Sequence, residues 1–153
     1  MNKYPFRLLI SLFILSVSIF VAVTFVVRPV KINDDGMYPT YQKNDYILAN
    51  VFNKTLNKIT EGQIAVIKTD DGYVIRRIIA CPNSKIEIIN NKLYVNNEKA
   101  IENIPLSNIS VKTGDKEYFV MGDNKTNLLN SRDELTVISQ NDIISVGVFA
   151  GGE

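Results

Sequence analysis

Residues 73–97 read YVIRRIIACPNSKIEIINNKLYVNN. Apolar residues come here in short runs rich in Ile and Val, separated by Asn and Pro, with no sustained 3.6-residue period; that is strand punctuation. Within the stretch, KIEIINNKLYVNN predicts a β-hairpin, because Asn90 and Asn91 tolerate the left-handed conformations that a tight two-residue turn requires. The same pattern continues outward in both directions. DYILANVF (45–52), GQIAVIKT (62–69), GYVIRRIIA (72–80), EYFVMGD (117–123) and DIISVGVF (142–149) each read as a strand or a pair of strands. DDGY at 70–73 and TGDKE at 113–117 read as turns. The expectation is an all-β, antiparallel domain over residues 29–153. The seventeen Asn are spread through loops and form no low-complexity tract or repeat.

Ahead of this domain, Leu8–Val27 runs LLISLFILSVSIFVAVTFVV, twenty residues without a charge. A helix of that length rises roughly 30 Å, the thickness of a bilayer's hydrocarbon core. A core helix in so small a protein has no reason to be apolar on every face. The segment leaves through bulky TFVVRPV rather than small residues, which predicts an uncleaved anchor rather than a signal peptide. The expected division is a short cytoplasmic terminus at 1–7, a transmembrane helix at 8–28 and an extracytoplasmic domain at 29–153. Lys3, Arg7 and the terminal amine precede the span while Arg28 and Lys31 follow it, which favours a cytoplasmic amino terminus in the cell membrane.

Composition removes whole classes of chemistry. The chain has 153 residues and no histidine. Ser-His and Cys-His nucleophile pairs and His-ligated zinc are thereby excluded, and no cofactor or metal is expected. Cys81 is the lone cysteine, so an internal disulfide is impossible, and it reads as a small apolar residue. Seventeen Lys and Arg against sixteen Asp and Glu leave a net charge of +1, too little field to gather nucleic acid.

Three stretches, in order behind an apolar anchor, resemble the type I signal peptidases, membrane serine proteases with a Ser/Lys dyad. GMYPT at 36–40 resembles the family's Ser-Met-x-Pro-Thr box. YVIRRIIACPNSKIEIINNKLYVNN at 73–97 resembles its Lys-Arg-Val-Ile-Gly-x-Pro box with the following hairpin. EYFVMGDNKTNLLNSRD at 117–133 resembles its Tyr-Phe-x-Met-Gly-Asp-Asn-Arg box, which closes with Ser-x-Asp-Ser-Arg. The resemblance covers nearly the whole chain and implies a signal-peptidase-like β domain, with Met37, Tyr38 and Pro39 at a peptide groove. Gly122, Asp123, Asn124, Ser131 and Arg132 are implied as structural, the first three as a turn that holds two strands.

The resemblance also implies that the reaction is lost. Gly36 stands at the nucleophile position and has no oxygen. Arg76 stands at the general-base position, and a guanidinium, with a pKa above about 12, stays charged where a desolvated lysine can become neutral. Asp34 stands where a serine helps bind the oxyanion; a carboxylate about 4 Å from that charge opposes it by roughly 4 kcal/mol at an effective dielectric near 20. Leu128 replaces the serine that steadies the lysine, and Asn130 replaces the box's aspartate, leaving Asp133 as a partner for Arg132. A glycine at 36 would also release a strained backbone.

The reading that follows is an inactive, membrane-anchored homologue that binds preproteins, an active paralogue or the secretion machinery, since adding an extended peptide as a strand needs backbone groups rather than a dyad. The alternatives are a peptidase working through other groups, for which Asp34, Asp35, Tyr38 and Thr40 offer oxygens, and a structural envelope protein.

Overall fold

The computed structural model describes the backbone of residues 4–50, 59–106, 109–126 and 135–150. One helix, α1 (Tyr4–Val26), is followed by strands that pair antiparallel throughout. They are β1 (Val27–Lys31), β2 (Tyr46–Asn50), β3 (Ile64–Thr69), β4 (Gly72–Ala80), β5 (Lys85–Ile89), β6 (Lys92–Val95), β7 (Glu98–Glu102), β8 (Ile109–Lys112), β9 (Glu117–Met121), β10 (Leu135–Ser139), β11 (Ile143–Val146) and β12 (Val148–Ala150). Three sheets form, in the orders β1-β2-β12, β10-β9-β4-β3-β11 and β7-β6-β5-β8.

The five-stranded sheet is central because both of its faces are covered. Alternation along β3 sends Ala65 and Ile67 one way and Val66 the other. Val66 and Ile75 join Val30, Ile32, Met37, Ile47 and Ala49 in a cluster beneath the three-stranded sheet. Ala65, Ile67 and Ile78 join Tyr118, Val120, Ile138, Ile143 and Val146 on the opposite face. A third cluster packs the far ends of β4 and β9, through Ile79, Ala80, Phe119 and Met121, onto Ile86, Ile88, Leu93 and Val95 of the four-stranded sheet.

Asparagine does the turning. Every non-glycine residue with positive φ among the described residues is an Asn: Asn44, Asn83, Asn90, Asn91, Asn96, Asn97 and Asn103. Asn90 and Asn91 (φ 49° and 62°) join β5 to β6, and Asn96 and Asn97 (φ 51° and 71°) repeat the device between β6 and β7. Asn is the side chain that enters this region most readily after Gly, because its short amide bonds the local backbone.

Four strands were not among those read from the sequence. β1 starts at Val27, inside the stretch assigned to the anchor, and carries Pro29, which an edge strand tolerates since its missing N–H faces no partner. β7 and β8 are the edges of the four-stranded sheet; β7, EKAIE, is mostly exposed and so lacks an apolar alternation. The last, β10, pairs with β9. Among the described residues no helix is long and apolar enough to cross a membrane. The side chains described in α1 are those of Phe6–Phe20, a rise of about 22 Å, and Phe6, Leu8, Leu9, Phe13 and Phe20 are more than 60% exposed.

The turn geometry predicts an asymmetry at residue 91. Asn91→Gly keeps or raises stability, whereas Asn91→Val lowers it by about 1–2 kcal/mol, since a β-branched residue is strained at positive φ. Urea unfolding of both variants against the parent measures the difference.

Candidate functional site

The loop between β1 and β2 is closed at its base by two backbone bonds, Ile32 N–H to Asp45 O (2.9 Å) and Asn44 N–H to Ile32 O (2.8 Å). Inside it, the Tyr38 N–H bonds Asp35 O and the Tyr41 N–H bonds Met37 O, so residues 35–41 fold as successive tight turns. Met37 is fully buried and anchors the loop in the core cluster under the three-stranded sheet. Tyr38 and Pro39 are left on the surface, Tyr38 about half exposed.

Residues 122–126, which follow β9, lie against this loop. The Asn124 N–H donates to Gly36 O at 2.9 Å, and the Asn124 side-chain amide donates to Asp35 O at 2.9 Å. Asp123 is the knot. Its carboxylate accepts from Thr40 Oγ1 at 2.6 Å and from Arg77 Nε at 2.8 Å, and a second Arg77 bond, from Nη2, completes a two-pronged ion pair. Arg77 Nη1 also donates to Gly62 O at 2.8 Å. Burial of the Asp123 carboxyl pushes its pKa up, but the bonds from Arg77 and Thr40 and the Arg77 charge more than offset this, and the pKa lies below the usual carboxylate value. The Asp123 bond in turn raises the pKa of Arg77.

Arg76 and Arg77 are consecutive on β4 and point to opposite faces, so each meets a different loop residue. Arg76 is 5% exposed. Its Nη1 donates to Ile75 O at 2.6 Å and lies 3.2 Å from both Asp34 carboxylate oxygens. Asp34 Oδ1 also accepts the Gly36 N–H at 2.9 Å. At 3.2 Å and an effective dielectric near 20 the gross attraction is about 5 kcal/mol, comparable to the desolvation of a buried ion, so the pair is close to neutral for stability. Losing one member is different, because it strands the other charge.

The structure thus brings Gly36, Asp34 and Arg76, and beside them Asp123 and Asn124, into one site. Leu128, Asn130, Ser131, Arg132 and Asp133 lie outside the described residues. Gly36 does not sit in the left-handed region that favours glycine: among the described residues the glycines with positive φ are Gly62, Gly72 and Gly147. Sequence reasoning placed Asp34 and Arg76 separately and missed their pairing, although opposite charges at two positions assigned to one site were the available signal. It also missed Thr40 and Arg77 as partners of Asp123. Within the described residues no cluster of three or more metal-binding side chains occurs.

A family profile described as signal peptidase, peptidase S26, matches residues 6–150. The chain belongs to that family. Among its signal peptidase relatives, signal peptidase I S of Bacillus subtilis (strain 168) is 30% identical over 141 residues, covering 82% of this chain and 77% of that protein. Signal peptidase I U of the same organism is 31% identical over 156 residues, covering 88% and 83%. Signal peptidase IB of Staphylococcus aureus (strain N315) is 27% identical over 149 residues, covering 96% and 76%. A crystal structure of a signal peptidase I from Enterococcus faecalis V583 superposes with a TM-score of 0.47 at 18% identity, over 60% of this chain and 97% of that one.

The depressed pKa of Asp123 fixes the sign of a pH effect. A carboxyl with a folded pKa below its unfolded value, about 3.9, contributes stability that is complete above that pH and fades as pH falls through the folded value. Asp123→Asn is therefore expected to lose about 1.5–3 kcal/mol at pH 7, with a smaller deficit at pH 3. Denaturant unfolding at the two pH values checks both statements.

Proposed function

We propose that this chain is a membrane-anchored signal peptidase homologue that does not cleave and that instead holds extended segments of preproteins. The observation that carries the reading is the Arg76–Asp34 ion pair. At the position expected for a general base stands a permanent cation, and its partner is a carboxylate at the position where a serine would favour the oxyanion. Gly36, bonded to Asp34 through its backbone N–H, brings no nucleophile. Tyr38 and Pro39 present the groove surface, while Met37 shapes the loop from the core rather than touching a peptide. Binding through main-chain pairing survives such losses, because strand addition draws on backbone groups. An active signal peptidase or the secretion machinery would meet the same face.

One contact favours the alternative of a working peptidase: Thr40 Oγ1 lies 2.6 Å from Asp123. A hydroxyl needs a base to become a nucleophile, and Asp123 is a poor one. Both its oxygens are engaged by Arg77 and its pKa is lowered, so its affinity for a proton is reduced.

The anchor belongs to the same reading. The α1 helix, with 23 residues from Tyr4 to Val26, would rise about 34 Å and has a single charge, Arg7. Between Phe6 and Phe20 its exposed apolar side chains point around all sides of the helix, as lipid rather than water demands. The β domain is then extracytoplasmic, and protease added to intact protoplasts digests it; protection of the domain would reverse the orientation.

Cleavage tests the lost reaction. Purified full-length protein is expected to leave a preprotein uncut, and Gly36→Ser/Arg76→Lys to be at best feebly active. Asp34, left in place, holds the new lysine in its charged form, as an opposite charge within about 4–6 Å does. Adding Asp34→Ser and Leu128→Ser is expected to raise cleavage by orders of magnitude and non-additively. Site-specific cleavage by the parent protein would falsify the proposal.

A further inference from the structure

We propose that Arg76 and the Gly36 N–H form a carboxylate-binding site that Asp34 occupies from within, and that its external ligand is the free C-terminal carboxylate of a short apolar peptide. This rests on the preceding reading in one respect only, that peptides are what the cleft receives.

Two donors from different parts of the chain converge on one oxygen. Asp34 Oδ1 accepts the Gly36 N–H at 2.9 Å and lies 3.2 Å from Arg76 Nη1. A backbone N–H and a guanidinium aimed at the same oxygen make an anion receptor, and bonds to such ionised groups are roughly twice as strong as neutral ones. The receptor half is rigid and buried: Arg76 is 5% exposed, emerges from the central sheet and cannot discharge. The occupant half is short and accessible. Asp34 sits on a loop with its side chain one-third exposed, so a side-chain rotation takes the carboxylate into water without disturbing β4.

The surroundings define what can replace it. Arg76 also lines a hollow of about 350 Å³, together with the apolar Ile67, Val74 and Ile138, with Thr69 and Thr136, and with Asp71. A carboxylate attached to a small apolar residue satisfies both parts at once. Asp71 disfavours a second negative charge. A cleaved signal peptide ends in just this chemistry, since small residues precede the cleavage site and cleavage leaves a free carboxylate. An uncleaved chain offers only a neutral amide, which cannot compete with Asp34 for a buried cation.

The experiment is calorimetric titration of the full chain in detergent micelles with acetyl-Ala-Leu-Ala as its free acid and as its C-terminal amide. Asp34→Ala is expected to bind the acid at least about tenfold more tightly than the amide, and more tightly than the parent protein does, because the tethered competitor has gone. Adding Arg76→Gln is expected to abolish the preference. Equal binding of acid and amide by Asp34→Ala, no binding of either, or a preference that survives Arg76→Gln overturns the proposal. Should Asp34→Ala fail to fold, Asp34→Ser keeps an acceptor for the Gly36 N–H and reads the same comparison. Preprotein binding by the parent protein is measured separately. Its absence beside an intact acid preference counts against the proposed function alone, and its presence beside equal acid and amide binding counts against this site alone.

Discussion

The site depends on the Asp123 carboxylate. The pairing of β4 with β9 and the packing of Met37 beside Ile75 bring the 32–45 loop, β4 and the 122–126 segment together, and the polar junction among them is one anion shared by Arg77 and Thr40, with Asn124 bonding the loop backbone beside it. Buried anions are tolerated only when their oxygens are engaged, and here three donors engage two oxygens. The Asp123 knot organises geometry, and Gly36, Asp34 and Arg76 sit beside it without carrying it.

The Arg76–Asp34 pair illustrates how two charges in one site remain physically consistent. A lone guanidinium at 5% exposure would carry the several-kcal/mol desolvation penalty of a buried ion. A lone carboxylate at position 34 would merely sit in an Asx turn on the Gly36 N–H. Together they cancel charge at about break-even stability, so neither residue has to be read as a defect in isolation.

Much of the fold was legible in the sequence because its signals are local. The Asn90-Asn91 hairpin follows from the conformational tolerance of one residue type, and β3, β4 and β9 announce themselves through Ile, Val, Tyr and Phe. β1, β7, β8 and β10, the four strands not read, are all edge strands, whereas the edges β11 and β12 were read because DIISVGVF carries its own apolar run. That Asp34, Gly36 and Arg76 come together was legible through the motif order, and the contacts around them were not. That Asp123 would take Thr40 and Arg77, 83 and 46 residues away, is decided by tertiary approach. That Met37 would face the core rather than a peptide depends on which way a turn-rich loop rolls, and spacing does not encode it.

The two adjacent arginines of β4 have a consequence for how the sheet assembles. Because successive side chains of a strand face opposite ways, a slip of one residue in the pairing of β4 exchanges every side chain between the two faces. With Arg76 committed to Asp34 on one side and Arg77 to Asp123 on the other, such a slip leaves one of these two carboxylates opposite an isoleucine, Ile75 or Ile78 according to direction. An apolar strand buried on both faces has little in its own composition to forbid that slip. The dipeptide acts as a vernier, with two marks one residue apart that come into coincidence at a single setting, so that β4, the strand to which β3 and β9 are both added, enters the fold in one alignment.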